Sequence, residues 1–310
     1  MKINLSNIKK AKNLLFNSEC IAIPTETVYG LAGNAYSDKA CKKIFTLKKR
    51  PKNNPLIVHY YKYQDLKKDC SFNKNFLKLY KKFCPGPITF ILDLKKNSKI
   101  SKFVTNKKKT LAVRFPKHPI TRNLLKRLNF PLAAPSANLS KRVSAVCSSH
   151  VKEDFGKKIK YILEGGKSSI GLESTIIDLR TKPKILRLGG LDFSLIQRVL
   201  NQKVKIQNNP SKISAPGQFK LHYSPGIPIR LNIKKVKENE AYILIKEKKI
   251  TKSNYYFLSK KGDLKEAAKN LYSILRKIKK NKYKSIAVSK IPNKGLGKTI
   301  NDRLIRASKF

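Results

Sequence analysis

The chain has 310 residues and a formal net charge of +52, from 70 lysines and arginines against 18 acidic residues. Its 40% hydrophobic content is too high for a disordered chain, and its length suits one large domain or two. No apolar run approaches the roughly 20 residues of a membrane helix, and the five scattered cysteines lack metal-ligand spacing. We therefore expect a cytoplasmic protein with no membrane segment and no structural metal site.

Most of the excess positive charge is lysine, and it is spread along the whole chain beside many asparagines and isoleucines. Two interpretations stay open. An AT-rich genome favours the codons of these residues, whereas a surface for a polyanion would also need many cations. Clustered charge is the better sign of nucleic-acid binding, so the composition predicts at most weak binding of tRNA or RNA.

Residues 1–200 show an incomplete alternation of strands and helices, because several strands follow one another directly. Apolar runs predict strands at 21–24, 56–60, 88–92, 111–115, 161–163, 175–179 and 185–188. Helical periodicity predicts helices at 38–48, 76–83, 119–128 and 195–200, the first of them capped by Asp38. We therefore expect a mixed α/β fold, with helices packed on a twisted mixed sheet.

The chain changes character after residue 200. Residues 201–228 are polar and rich in Pro, Asn, Ser and Gly, which indicates a linker. Beyond it, strands are predicted at 241–245, 255–258 and 286–288, with helices at 264–278 and 299–307. This pattern predicts a second, small doubly wound domain at 229–310.

Polar side chains stand at the ends of several predicted elements, and each has a structural explanation as well as a functional one. The segment 24–31, PTETVYGL, sets hydroxyls and a carboxylate after a buried strand, as a ligand site or a capping turn would. Lys48 and Arg50 follow a helix, where they can complement its negative end or clamp a phosphate.

Three further positions are open to the same two explanations. His59 ends an apolar strand, where a lone histidine is usually structural. Arg114 lies inside an apolar strand with no acidic neighbour nearby in sequence, which favours an anionic ligand. Ser136 and Asn138 are two residues apart and share a face in an extended segment, so they can contact a nucleotide or close a turn.

Order and spacing join these segments into one pattern. The matching pieces are PTETVYGL, the K-x-R of Lys48 and Arg50 followed by PKNNPLIVH, PGPIT at 85–89, TLAVRFP at 110–116, the S-x-N of Ser136 and Asn138, ESTIID at 173–178 and ILRLGG at 185–190. Together they resemble the YrdC/Sua family of L-threonylcarbamoyl-adenylate synthases. The segment 215–225, APGQFKLHYSP, resembles the interdomain loop of the two-domain members, so the resemblance covers nearly the whole chain.

The resemblance implies a YrdC-like catalytic domain at 1–200, a linker and lid loop at 201–228, and a small Rossmann-like domain at 229–310. It implies a nucleotidyltransferase that condenses L-threonine, bicarbonate and ATP to threonylcarbamoyl-AMP and pyrophosphate, with Mg²⁺ carried on the ATP. Downstream threonylcarbamoyl transferase machinery would then modify the tRNA adenosine next to the anticodon.

The resemblance also assigns residues to the two substrates. Threonine and its carbamate would be held by Thr27, His59, Arg114, the backbone near Ala134, and Ser174. ATP would be held by Lys48, Arg50, Asn54, Thr110, Ser136, Asn138, Ser144 and Arg187, with Tyr223 folding over the nucleotide. Lys48 and Arg50 would be catalytic, because cations screen the repulsion between two anionic substrates. This assignment requires Arg50, Arg114 and Arg187 to share one cavity.

Two other functions are compatible with parts of this pattern. The first is a double-stranded RNA-binding module without catalysis, which the positive charge favours and which salt-sensitive RNA affinity without ATP turnover would support. The second is a carbamoyl-transfer maturation protein, but such proteins carry zinc-finger cysteine pairs that this chain lacks.

Overall fold

A computed structural model of the protein describes residues 3–208, 221–248 and 252–309. Over these ranges the chain forms one sheet of ten strands and a second sheet of four. Helices pack on both sheets, so the predicted mixed α/β fold class is confirmed. No helix within these ranges is long and apolar enough to cross a membrane.

The large sheet is mixed, with β3 parallel to β6, β5 parallel to β8, and antiparallel pairing at most other neighbours. Its order is β1-β2-β7-β3-β6-β5-β8-β9-β10, and β4 pairs with β5 beside this path. The strands are β1 (Ile21–Ile23), β2 (Gly30–Asn34), β3 (Ile57–His59), β4 (Cys70–Ser71), β5 (Ile88–Leu94), β6 (Thr110–Arg114), β7 (Leu132–Ala133), β8 (Thr175–Asp178), β9 (Lys184–Arg187) and β10 (Lys205–Ile206).

The helices of this domain are α1 (Leu5–Phe16), α2 (Asp38–Lys48), α3 (Tyr63–Leu66), α4 (Lys74–Phe83), α5 (Lys102–Thr105), α6 (Pro119–Lys126), α7 (Ser148–Phe155) and α8 (Phe193–Leu200). The predicted cap of α2 is wrong by one residue. Ser37 is the N-cap, because its hydroxyl accepts the backbone N–H of Ala40, and Asp38 lies in the first turn.

The predicted strand at 161–163 is also wrong, since Ile162 makes only an isolated bridge to Ala22. Several short or weakly patterned elements were not predicted, among them α1, β2, β7 and α7. β2 has the sequence GLAGN, in which two glycines weaken any strand signal. Pairing with β1 and β7 stabilises β2 as a strand, although its own sequence does not favour one.

The small domain contains β11 (Ile229–Leu231), β12 (Glu240–Lys246), β13 (Tyr255–Ser259) and β14 (Ser285–Val288), with α9 (Leu264–Lys280) and α10 (Leu296–Ala307). All its strands are parallel, in the order β11-β14-β12-β13, as a doubly wound unit requires. The predicted linker begins inside the large sheet, because β10 pairs with β9. Residues 209–220, which include the first six residues of the loop at 215–225, lie outside the described residues.

The two domains share a hydrophobic core. Val28, Val143, Val146 and Leu172 of the first domain belong to the same buried cluster as the apolar face of α9. An interdomain surface of this kind is more hydrophobic than a contact between independently moving domains. Buried apolar side chains therefore pack the second domain against the first.

Candidate active site

A cavity in the first domain is bordered by β3, β6 and the loop after β7, and the described end of the linker closes one side. It encloses about 500 Å³ of space outside the protein atoms, part of it open to solvent. Its lining residues are Thr25, Val28, Tyr29, Gly30, Arg50, Ile57, His59, Arg114, Ala134, Pro135, Ser136, Glu173, Arg187, His222 and Tyr223.

The cavity brings together residues that are far apart in sequence. Arg50, Arg114 and Arg187 all line it, which satisfies the geometric requirement stated above. The other predicted residues that line it are His59, Ala134, Ser136 and Tyr223. Three guanidinium groups around one hollow make a binding site for a polyanion.

The remaining predicted residues do not line the cavity. Six of them are buried, most of them close in sequence to a residue that lines the cavity: Thr27, Lys48, Asn54, Asn138, Ser144 and Ser174. Thr110 is the first residue of β6, and Arg114 is the last. The two residues are four residue steps apart along an extended strand, a distance of about 13 Å. Thr110 therefore lies at the end of the strand away from the cavity.

Arg114 has a carboxylate partner that is distant in sequence. Its Nη2 atom lies 2.8 Å from Oε1 of Glu26, and both side chains are buried. The other carboxylate oxygen of Glu26 accepts the backbone N–H of Lys117 at 2.9 Å. The pair neutralises the guanidinium, and among the described residues the buried Arg114 Nε atom has no hydrogen-bond partner, so this donor is unused by the protein.

His59 lies directly beside Arg114, because the register of β3 and β6 pairs these two residues. Burial and the neighbouring Arg114 charge hold the pKa of His59 well below its ordinary value. The ring is therefore neutral at pH 7, and its buried Nδ1 atom has no hydrogen-bond partner in the described part of the chain. A neutral imidazole with an open nitrogen can donate to or accept from a polar ligand.

Lys48 is fully buried and anchors a loop. Its ammonium group donates to the backbone carbonyls of Ser136 and Asn138. Burial, followed by the nearby Arg50 charge, lowers the pKa of Lys48 well below its ordinary value. The side chain thus fixes the S-x-N segment against the end of α2, and in this conformation it does not face the cavity.

Arg50 reaches the cavity from a turn that its own side chain stabilises. It donates to the carbonyls of Asn54 and Pro55 at 3.0 and 2.8 Å. Burial and the charge of Arg187 lower the pKa of Arg50. Two cations so close together repel each other, and an anionic ligand between them relieves that repulsion.

Arg187 is held at the start of β8. It donates to the Ser174 carbonyl from Nε and Nη2, at 3.1 and 2.9 Å, and to the Ser174 hydroxyl at 3.1 Å. That hydroxyl also lies 2.7 Å from the Thr89 hydroxyl on β5. Ser174 therefore positions Arg187. Of these two residues, Arg187 is the one that lines the cavity.

Glu173 is a cavity residue to which our sequence analysis gave no role. Its Oε1 accepts the Ser144 hydroxyl at 2.6 Å, and its Oε2 accepts the Tyr272 hydroxyl at 2.8 Å and Arg303 Nε at 3.0 Å. Although burial opposes ionisation, Arg303 and Arg187 lower the pKa of Glu173 to about 2. Its place in the ESTIID segment was the available signal, as the carboxylate of PTETVYGL was for Glu26.

Two buried amide oxygens near the cavity are open for ligand contact. Oδ1 of Asn54 and Oδ1 of Asn138 have no hydrogen-bond partner among the described residues. The Asn138 amide nitrogen instead donates to the carbonyls of Leu139 and Arg142, which fixes its orientation. Buried polar atoms of this kind are costly unless a ligand or water satisfies them.

A larger groove lies away from these residues. It encloses about 930 Å³ beside α3 and α6, and includes Tyr36, Tyr61 and Lys126 among its lining residues. None of the predicted site residues lines it. In the described ranges, no three His, Cys, Asp or Glu side chains are placed to hold a metal ion.

Comparison with known proteins identifies relatives along the whole chain. The family model described as "Telomere recombination", of the Sua5, YciO and YrdC proteins, matches residues 13–189. The model described as "Threonylcarbamoyl-AMP synthase, C-terminal domain" matches residues 192–309.

Individual relatives agree. A threonylcarbamoyl-AMP synthase of Pyrococcus abyssi is 34% identical, with 98% of this chain and 94% of that protein covered. One from Bacillus subtilis is also 34% identical, covering 99% and 94%. The crystal structure of P. abyssi Sua5 complexed with L-threonine superposes with a TM-score of 0.91 at 32% identity, covering 99% of this chain and 96% of that one.

Proposed function

The chain belongs to the family of threonylcarbamoyl-AMP synthases, and on that premise we propose how its residues divide the work of making threonylcarbamoyl-AMP. The reaction joins L-threonine, bicarbonate and ATP and releases pyrophosphate. The observation that carries the proposal is the meeting of Arg50, Arg114 and Arg187 around one cavity.

Threonine binds at the β3–β6 end of the cavity. Its carboxylate meets the open Nε side of Arg114, whose other side Glu26 already neutralises. The neutral ring of His59 contacts the amine or the hydroxyl. Thr27 supports this end of the site through its hydroxyl, which lies 2.8 Å from that of Thr25, a cavity residue.

ATP binds at the opposite end, where Arg50 and Arg187 face each other. A triphosphate between them replaces the repulsion of two buried cations by attraction to both. Ser136 contributes a hydroxyl to this end of the cavity. Asn54 and Asn138 do not line the cavity, so their buried, unpartnered amide oxygens reach ATP only if the wall adjusts around the bound nucleotide. Tyr223 closes the nucleotide end from the linker.

The chemistry needs no covalent enzyme intermediate. The threonine amine attacks carbon dioxide and loses a proton, or attacks bicarbonate with loss of water, and in either case becomes a carbamate. A carbamate oxygen then attacks the α-phosphorus of ATP, and the bond to pyrophosphate breaks. Arg50 and Arg187 stabilise the charge that moves onto pyrophosphate, and holding both substrates in one cavity supplies much of the rate.

Mg²⁺ fits this site only as a partner of ATP. Glu173 is the cavity's carboxylate, and both its oxygens are engaged by Ser144, Tyr272 and Arg303. Magnesium in nucleotide sites is often bound largely by substrate phosphates and water. We propose that the ion arrives on the triphosphate and shields its charge, and that no side chain in the described part of the chain is reserved for it.

The product is a reactive mixed anhydride that water destroys. Closure of the cavity by the linker protects it until release. We propose that a threonylcarbamoyl transferase then accepts it for modification of the tRNA adenosine next to the anticodon. Direct binding of RNA by the lysine-rich surface remains a separate prediction.

The test is pyrophosphate release by the purified protein with ATP, L-threonine and bicarbonate. Release that requires all three substrates supports the proposal, and unchanged ATP cleavage after omission of threonine or bicarbonate would falsify it. RNA binding without any ATP turnover would favour the RNA-binding module instead.

A matched pair of variants tests the site. Arg50→Ala removes a cavity guanidinium, and we expect kcat/KM for ATP to fall by roughly 10- to 100-fold, the usual cost of a charged hydrogen bond. Lys52→Ala removes an exposed cation two residues away and should leave the rate within about twofold. Equal effects of the two substitutions would contradict the assignment.

A further inference from the structure

We propose that Arg303 of the second domain is a positioning residue of the active site, so that the second domain completes the ATP end of the cavity. This inference rests on the function proposed above. It concerns a residue that does not line the cavity but holds residues that do.

Arg303 has almost no solvent exposure and contacts the first domain in several directions. Its Nε lies 3.0 Å from Oε2 of Glu173, and its Nη2 donates to the Leu188 carbonyl at 2.6 Å. Its guanidinium carbon lies 4.6 Å from the centroid of the Tyr223 ring, within cation–π range. Asp302, adjacent in α10, also pairs with it.

Glu173 connects Arg303 to the loop between β7 and α7, which contains Ser136 and Ser144. The carboxylate lines the cavity and accepts the Ser144 hydroxyl on its other oxygen, at 2.6 Å. Ser144 belongs to the loop that begins with Ser136, the hydroxyl residue at the ATP end. A buried carboxylate with a fixed cation keeps one orientation, so Arg303 determines where that loop is anchored.

Arg303 also contacts Tyr223, the linker residue that lines the ATP end of the cavity. Its backbone has a φ of 64°, a left-handed conformation that costs a non-glycine residue energy. Its ring packs against both Arg303 and Tyr272, with the two tyrosine centroids 5.8 Å apart and their planes 17° from parallel. These two side chains of the second domain hold the lid residue against the cavity.

Among the described residues, no side chain of the second domain hydrogen-bonds to Arg114, Glu26 or His59 at the threonine end, where Val28 makes only apolar contact with that domain. Arg114 is held by Glu26, and His59 is positioned by the sheet, all within the first domain. Loss of Arg303 should therefore weaken steps that involve ATP and leave binding of threonine alone nearly unchanged. A side chain that merely held the domains together would not separate the two substrates in this way.

The second domain offers a matched structural control. Arg276 also crosses the interface, with Nη2 2.6 Å from Asp154 and donating to the Val143 carbonyl at 2.7 Å. Neither partner lines the cavity. Arg276→Met and Arg303→Met thus each remove one interdomain guanidinium, partly buried in the first case and buried in the second, and only the second touches residues of the cavity wall.

The experiment measures KM for ATP by pyrophosphate release, the affinities for threonine and for a non-hydrolysable ATP analogue by calorimetry, and the melting temperature. For Arg303→Met we expect KM and analogue Kd to rise roughly 10-fold or more, with threonine Kd within about twofold of wild type. Arg276→Met should lower the melting temperature without raising KM for ATP. Arg303→Lys should restore part of the loss, since it keeps the charge.

Tyr272→Phe provides a milder variant should Arg303→Met fail to fold, because it deletes only the hydroxyl that Glu173 accepts. It should raise KM for ATP by a smaller factor, again without changing threonine affinity. The proposal is overturned by an unchanged KM for ATP in these variants, or by equal losses for both substrates. Failure of wild type to require threonine would overturn the proposed function instead, and analogue binding would still test Arg303.

Discussion

At the scale of single residues, the pairing of Arg114 with Glu26 explains how a guanidinium is tolerated inside a sheet. A buried charge is costly unless it is paired and hydrogen-bonded. Glu26 meets this cost from one side at 2.8 Å, and in the described part of the chain the buried Nε atom has no partner, while Arg114 itself lines the cavity. The pair thus combines stability with a site for a carboxylate ligand.

This geometry predicts that Arg114→Gln weakens threonine binding by roughly 10- to 100-fold, measured by calorimetry, because a charged hydrogen bond contributes about 1.5–3 kcal/mol. Arg122→Gln is the control, since Arg122 stacks on Tyr61 outside the cavity. Similar losses in the two variants would show that the Arg114 site is not where threonine binds.

The histidines predict a pH dependence of stability. Burial lowers the pKa of His222 to about 3, and it also holds that of His59 well below 6.5. Below pH 6.5 the unfolded chain binds protons at these positions and the folded chain does not. Stability is therefore present above pH 6.5 and is lost as the pH falls, by about 1.4 kcal/mol per pH unit for each histidine.

Denaturant unfolding between about pH 7 and pH 5 checks this, and His222→Gln should remove about one proton from the slope. A free energy of unfolding that rises as the medium becomes acidic would contradict the expected sign. An unchanged slope in the variant would mean that His222 titrates normally in the folded chain.

The residues of the site differ in how far the sequence could identify them. The local K-x-R pattern pointed to Arg50, whereas Arg187 was assigned to the site only by the family resemblance and His59, taken alone, had a structural explanation as well. The partners of buried charges were not visible, because 88 residues separate Glu26 from Arg114 and 90 separate Lys48 from the Asn138 carbonyl. Such pairs arise from strand order and register, which periodicity does not reveal.

At the scale of elements, apolar runs predicted β3, β5, β6 and β8 well because those strands are buried along most of their length. The ILRLGG segment shows what such runs cannot reveal. A Cβ at Gly189 would lie 2.3 Å from the Thr175 nitrogen, so glycine is required for the backbone to pass the start of β8. The two glycines at the end of the segment indicate only a turn locally, but the absence of a side chain at Gly189 is needed for the backbone to pack there.

The interface elements carry a stability prediction. Leu172 is fully buried in the core that both domains share, so Leu172→Ala should cost about 2–5 kcal/mol of unfolding free energy. Leu195→Ala, at a position 38% exposed on α8, should cost far less. Denaturant titration measures both, and a Leu172 loss no larger than the Leu195 loss would contradict the shared core.

At the scale of the whole molecule, the net charge of +52 acts on every conformation. Self-repulsion destabilises the compact state, and salt screens it over a Debye length of about 10 Å at 0.1 M. Raising NaCl from about 0.02 to 0.3 M should therefore raise the melting temperature, by about 2–4 °C for each kcal/mol of repulsion removed. An uncharged osmolyte of equal osmolality is the control, and a melting point lowered by salt would contradict this account.

Apolar residues of the first domain form part of the core of the second, and this has a consequence for proteolytic cleavage of the chain between the domains. A single cut between the domains would leave each fragment with an incomplete interior that only the other fragment can fill, since Val28, Val143 and Leu172 pack with α9. The two pieces should stay associated after cleavage and behave as a split enzyme, with the covalent connection dispensable for holding the particle together.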